Sequence, residues 1–304
     1  MPCPSKIKQL LKGKTMSSDG STQIVPDIKN AAVITAAGMM IEPYGEYSFS
    51  ELKSYYSEKI NSNTNTTGYL LKNMTLLSDL RAALLACKKS GKPVYAEISV
   101  DGELMTSSDL PADAALITLQ SMGLSGLKLT AEDDEDVINA LCRLVHFSKI
   151  PLFAELPKEK AAVITDAGID VTFCDELCFC SVPKEEKETA LLLANERQAF
   201  FLEHDTTEIS DEIYCDGDIE EILCDASDEA YDVLKIRLDT PDDAVAFAKA
   251  AHMATLPIMF SSEDDITIML ALMLYQGRAL IDSECVLSEE KTEKAVRKYG
   301  AIIY

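Results

Sequence analysis

Thiols and carboxylates are the side chains here whose types and spacing could do chemistry. Cys174, Cys178 and Cys180 form a C-x3-C-x-C group. Three thiolates in one short segment could hold a soft cation such as zinc. The same group reads equally as three reduced, packed cysteines, because its spacing matches none of the usual zinc knuckles. Glu97, Glu132 and Glu155 each lie in or just after an apolar run of strand type. Buried acids need partners, so these three point either to a polar mouth at the strand ends or to solvent between helices. His204 closes the run AFFLEH, between Glu203 and Asp205. A histidine flanked by carboxylates can move protons, and parallel α/β barrels concentrate chemistry at strand C-termini. His146 and His252 read as helix-end residues, the latter meeting the helix dipole. The acidic run 132–136 reads as a solvated loop and helix start. No phosphate-binding glycine loop, nucleophile elbow or dinucleotide fingerprint is present.

The elements that must position these groups alternate between short apolar runs and longer amphipathic stretches. Strand-like runs fall at 31–38, 68–73, 93–100, 126–132, 151–156, 170–174, 199–204, 232–238, 257–262, 278–283 and 301–304. Several are rich in Val, Ile, Phe and Tyr and begin just after Pro or Gly, as buried parallel strands do. Between them, 109–123 reads as a helix with Asp109 as N-cap, Pro111 near its first turn and Gly123 at its end. The stretch 239–251 has a Thr-Pro-Asp start, and 288–300 carries acids first, bases last and a closing Gly300. This alternation predicts βα units and parallel sheet. The runs outnumber the eight strands of one barrel, so either some of them are not strands or the chain holds parts of two barrels. A charge-dense stretch at 181–196 is the preferred boundary, with 205–218 as a second candidate.

The chain has 304 residues, 47% of them hydrophobic, which suffices for a sizeable core. Its formal charge of −23 disfavours nucleic acid and anionic membrane surfaces. No apolar run approaches the roughly 18 residues of a membrane span. The basic start MPCPSKIKQLLKGK lacks the apolar core of a secretory signal. Nine scattered cysteines, an odd number, argue against a disulfide framework. A cytoplasmic location is the expectation.

Particular motifs carry a resemblance. AAVITAAGMMIEPYGE, then Asn73–Asp109 with PVYAEISVDGELMTSSD, then IPLFAELP and DAGIDVTFCDE resemble, in order and wording, the later two-thirds of a homocysteine S-methyltransferase barrel. That module opens cobalamin-dependent methionine synthases. The family's Thr-Gly-Thr-Asp loop stands here as Thr106, Ser107, Ser108 and Asp109, and its Pro-Asn-Ala-Gly turn is reduced to the proline. The resemblance implies zinc held by three cysteines, which ionises the homocysteine thiol. Those three places fall on Thr130, Asp175 and Glu176, and none is cysteine. A carboxylate site there could hold a harder cation.

The second half is similar to the first part of the pterin-binding barrel shared with dihydropteroate synthases. Tyr275, Gly277, Arg278, Asp282, Ser283, Lys298, Tyr299 and Gly300 follow its pattern. The positions that bind pterin in that family map to Lys235, Arg237, Ser261 and Asp282, and only Asp282 keeps a comparable group. Cofactor contact through Asp282 and Ser283 is what this resemblance implies.

The expected fold is α/β, of TIM-barrel-like parallel βα units. A polar segment, 1–30, precedes a homocysteine-methyltransferase-like module, 31–183, and a truncated pterin-barrel-like module, 184–304. The expected function is a methyltransferase of methionine or one-carbon metabolism. Its catalytic candidates are Glu97, Thr130, Glu155, Asp175, Glu176 and His204, and its metal candidates are Cys174, Cys178 and Cys180. The alternative is a non-catalytic binding or scaffold relative that partners a corrinoid protein or a methyltransferase subunit. Its small-molecule partner would be a thiol or a methyl donor.

Overall fold

A computed structural model describes residues 28–62, 65–174, 176–181, 190–215, 218–227 and 230–304. It also gives the backbone of two short antiparallel strands, β1 (Lys14–Met16) and β2 (Thr22–Ile24). The fold is α/β, built on a mostly parallel seven-stranded sheet and a parallel five-stranded sheet.

The first sheet holds β3 (Ala32–Thr35), β4 (Tyr69–Lys72), β5 (Val94–Ser99), β6 (Gly126–Thr130), β7 (Leu152–Glu155), β8 (Asp170–Cys174) and β9 (Leu177–Ser181). Its order is β3-β4-β5-β6-β7-β9-β8. The first five strands run parallel, and the β8–β9 hairpin joins β7 antiparallel. Helices α1 (Phe49–Asn61), α2 (Leu77–Cys87), α3 (Ala112–Ser121), α4 (Asp134–Leu144) and α5 (Lys158–Asp166) alternate with these strands. Ser48 and Glu51 cap α1 reciprocally, which explains its sharp start. Every residue of α2 is buried. A helix buried on all sides needs cover on all sides, and α2 receives it from α1, from α3, from the first sheet and from the second half of the chain.

That half opens with a hairpin, β10 (Leu191–Ala194) and β11 (Ala199–Leu202). Then come β12 (Ile209–Tyr214), α6 (Ile219–Ser227), β13 (Val233–Arg237), α7 (Pro241–Ala250) and β14 (Ile258–Ser261). The chain continues through α8 (Asp265–Leu274), β15 (Leu280–Ile281), α9 (Glu289–Tyr299) and β16 (Ile302–Ile303). Strands β12 to β16 pair in sequence order, all parallel. Thr240 caps α7 with Pro241 just inside it, and Ser288 caps α9.

Several contacts join the halves. The hairpin is sandwiched, with Leu192 and Ala194 against Ala114 and Ile117 of α3 and Leu193 against Val233, Met259 and Leu280. The buried Arg81 of α2 donates to the carbonyls of Leu272 and Met273 in the last turn of α8 and to Gln276. Gly300 ends α9 at φ +74, where an added Cβ would lie 2.0 Å from Ser121 Oγ. Glycine meets both the left-handed backbone and the close approach.

Several expectations need correction. AFFLEH is the second strand of an antiparallel hairpin and not a βα strand. Asn195 Oδ1 accepts from the Arg197 and Gln198 amides and so turns the chain back on itself. Strands 177–181, 191–194 and 209–214 were not expected. Helix α3 begins at Ala112, and Asp109 sits at φ +57 in the preceding turn and does not cap it. Among the described residues no helix is long and apolar enough to cross a membrane.

Candidate functional site

Strand register settles which acids meet. Ala96, Ile98, Leu127, Leu129, Leu152 and Ala154 face the helices and join the main core. Side chains alternate faces along a strand, so Glu97, Lys128, Phe153 and Glu155 share the opposite face. Glu97 stands beside Lys128 in register. The result is a ladder across four strands: Lys72 to Glu97 at 3.0 Å, Glu97 to Lys128 at 3.0 Å, and Lys128 to Glu155 at 2.7 Å. The inner pair is nearly enclosed, with Glu97 8% and Lys128 11% exposed, while Lys72 and Glu155 reach solvent. Burial alone would raise the Glu97 pKa, but hydrogen bonds from Lys128 and Lys72 outweigh it and hold the carboxyl below its ordinary value. Burial works against the Lys128 ammonium, and Glu155 and Glu97 outweigh it, so its pKa is raised. Both groups are therefore ionised at neutral pH and committed to each other.

The remaining candidates are scattered. Thr130 ends β6 on the Glu97 face, and its hydroxyl contacts the Ile98 carbonyl at 3.4 Å. Glu176 is exposed in the β8–β9 turn, and Asp175 lies outside the described residues. Glu132 is exposed before α4. His204 lies past the hairpin, exposed, with its ring 4.9 Å from that of Tyr304 and its Nδ1 3.4 Å from Asp205. Cys178 and Cys180 sit in the helix-side core with their sulfurs 3.9 Å apart. Cys174 pairs across the hairpin with Leu177 and so points to the other face. A thiolate–zinc site does not fit these residues. The strand ends offer a hydroxyl and carboxylates, and the thiols are divided between two faces. Among the described residues no group of three His, Cys, Asp or Glu could hold a metal ion.

The second sheet repeats the ladder in shorter form. Lys235 meets Asp282 at 2.7 Å and Glu212 at 3.3 Å, and Ser261 Oγ donates to Glu212. Burial would raise the Asp282 pKa, but the Lys235 hydrogen bond and the Glu284 amide bring it below its ordinary value. Arg237 pairs with Asp239 and Glu263. Ser283 is exposed, and its amide donates to the Tyr304 carbonyl.

A cavity of about 660 Å³ lies where the halves meet. The loops after β3, β4 and β5, the first turns of α1 and α2, the turn of the β10–β11 hairpin and the ends of α7 and α8 build it. Its wall is mainly apolar, and its rim is polar and internally paired. Lys249 meets Glu42 at 3.1 Å, and Tyr44 contacts Glu196, Arg197 and the His252 ring. This size and lining are those of a small-molecule pocket.

Comparison with family models and with characterised proteins returns no match for this chain.

Lys72, Lys128 and the cavity escaped sequence reasoning. The lysines had a usable signal: YAEIS and GLKLT both alternate, with one charge each on the same period.

Proposed function

We propose that this chain is a homocysteine-methyltransferase-like α/β protein of one-carbon metabolism that binds a small organic ligand and lacks thiolate–zinc methyl transfer. Strands β3 to β7 and β12 to β16, each parallel and in sequence order, support descent from two barrel modules. The observation that carries the reading is the Lys72–Glu97–Lys128–Glu155 ladder. It places mutually neutralised charges on the face where the resembling family exposes soft ligands. Thr130 and the paired charges there are no soft donor set for a thiol-ionising zinc. Binding is then the task left to the scaffold, and the cavity between the halves is the place built for it.

The test is turnover. Purified protein, zinc-loaded, is given homocysteine and a methyl donor, either methylcobalamin or S-methylmethionine, and methionine is measured. The expected result is no methionine above the protein-free control. Turnover that disappears in Cys178→Ser or Thr130→Val protein would establish an active transferase instead.

A further inference from the structure

We infer that the cavity between the two halves binds a small molecule with an anionic, carboxylate-like head and an apolar body. The head would be seated at the first turn of α2 against the Ser78 hydroxyl. This rests on the ligand-binding reading above and adds the chemical class.

Three observations place the head. Ser78 is 9% exposed and lines the cavity, and its hydroxyl makes no hydrogen bond among the described residues. Its oxygen is not sealed in the core, so it stands open to the cavity as a hydrogen-bond donor. The N-cap of α2 is Leu76, which cannot cap, so among the described residues the amides of Leu77, Ser78 and Asp79 remain open donors beside that hydroxyl. One turn further along α2, the fully buried Arg81 guanidinium meets only carbonyl and amide oxygens and the Phe49 ring, with no carboxylate in contact among the described residues. Phe49 and Gln276, both touching Arg81, line the cavity. The floor is thus short of negative charge.

The nearby acids do not fill that role. Asp79 faces away, its carboxyl taken by the Tyr56 hydroxyl and the Ala37 amide. Glu42 is paired with Lys249, and Glu196 with Tyr44, both at the rim. Asp109 is exposed at the mouth, where it disfavours a head group that stays outside. The body has its own surface: Met40, Ile41, Val245, Leu270 and Leu274 face the cavity.

The test is a head-group series on one body, read by calorimetry on the full chain: octanoate, octanol and octylamine. Octanoate should bind about tenfold more tightly than octanol, and octylamine more weakly than either. Ser78→Ala should weaken octanoate about tenfold and leave octanol unchanged, and Leu274→Trp should remove binding of both. Equal affinity for the acid and the alcohol, tightest binding of the amine, or no binding by wild-type protein would each overturn the inference. The series on wild-type protein decides even if a variant misfolds. Methyl transfer with the octanoate preference intact would sink only the non-catalytic reading. Loss of the preference without turnover would sink only the head-group assignment.

Discussion

Replacing Lys128 with Met isolates the ladder's worth. Glu97 has two cationic contacts at 3.0 Å, from Lys128 and Lys72, and is itself 8% exposed. Removing one partner of a fully buried ion pair costs about 3–5 kcal/mol. Lys72 remains, but it is 42% exposed and water screens it. The expected cost of Lys128→Met is therefore about 2 kcal/mol at pH 7, or about 3 °C in Tm for a chain of this size. Lys72→Met should cost only about 0.5 kcal/mol. The double variant Glu97→Gln/Lys128→Met should recover about 1 kcal/mol of the summed single costs, since the neutral amide needs no cation. The pH dependence has a definite sign. The Glu97 pKa is depressed in the fold, so its contribution is present above its unfolded value, about 4.3, and is lost as pH falls through the folded value. The Lys128 pKa is raised, so its contribution is present below about 10.4 and fades as pH rises through the folded value. Without Lys128 the penalty should shrink as pH falls and the Glu97 carboxyl takes up its proton. Urea melts of the four proteins from pH 3 to pH 8 measure all of this. A Lys128→Met protein within 0.5 kcal/mol of wild type at pH 7, or a penalty unchanged at pH 3, refutes the reasoning.

Two further perturbations report on how the halves are joined. Gly300→Ala combines left-handed backbone strain, about 1–2 kcal/mol, with a methyl group placed 2.0 Å from Ser121 Oγ. It should lower stability by about 3 kcal/mol, and a denaturation midpoint like that of wild type would contradict the packing described. Arg81→Ala opens space beneath Phe49 and orphans the carbonyls of Leu272 and Met273. It should cost about 3 kcal/mol, with amide exchange accelerating first in the last turn of α8; uniform acceleration across both sheets would show that Arg81 is no bridge.

Much of the scaffold was legible because buried parallel strands write themselves as apolar runs. The runs at 93–100, 126–132 and 257–262 became β5, β6 and β14, and the charge-graded 288–300 became α9 between Ser288 and Gly300. Strand β12, ISDEIY, was hidden because it is a partly exposed edge strand carrying two acids. Strand β10 was hidden because LLLA has helical propensity and lies in a charge-dense stretch. LCFCS looked like a cysteine loop because nothing local says that it inserts beside β7. Glu97 and Glu155 were flagged, but Lys128, which links them, was not, since register between strands is a tertiary fact. The cavity could not be read at all, because distant segments such as Ser78 and Leu274 meet only after the halves dock.

The central claim is that paired charges stand on the Glu97 face of the first sheet and that its residues offer no thiolate set for zinc. Its most direct measurement is zinc per chain, by atomic emission, after incubation with excess zinc and exhaustive dialysis at neutral pH. The account predicts a content far below one, unchanged in Cys178→Ser and Cys180→Ser proteins. One tightly held zinc per chain, lost with either substitution, would contradict it.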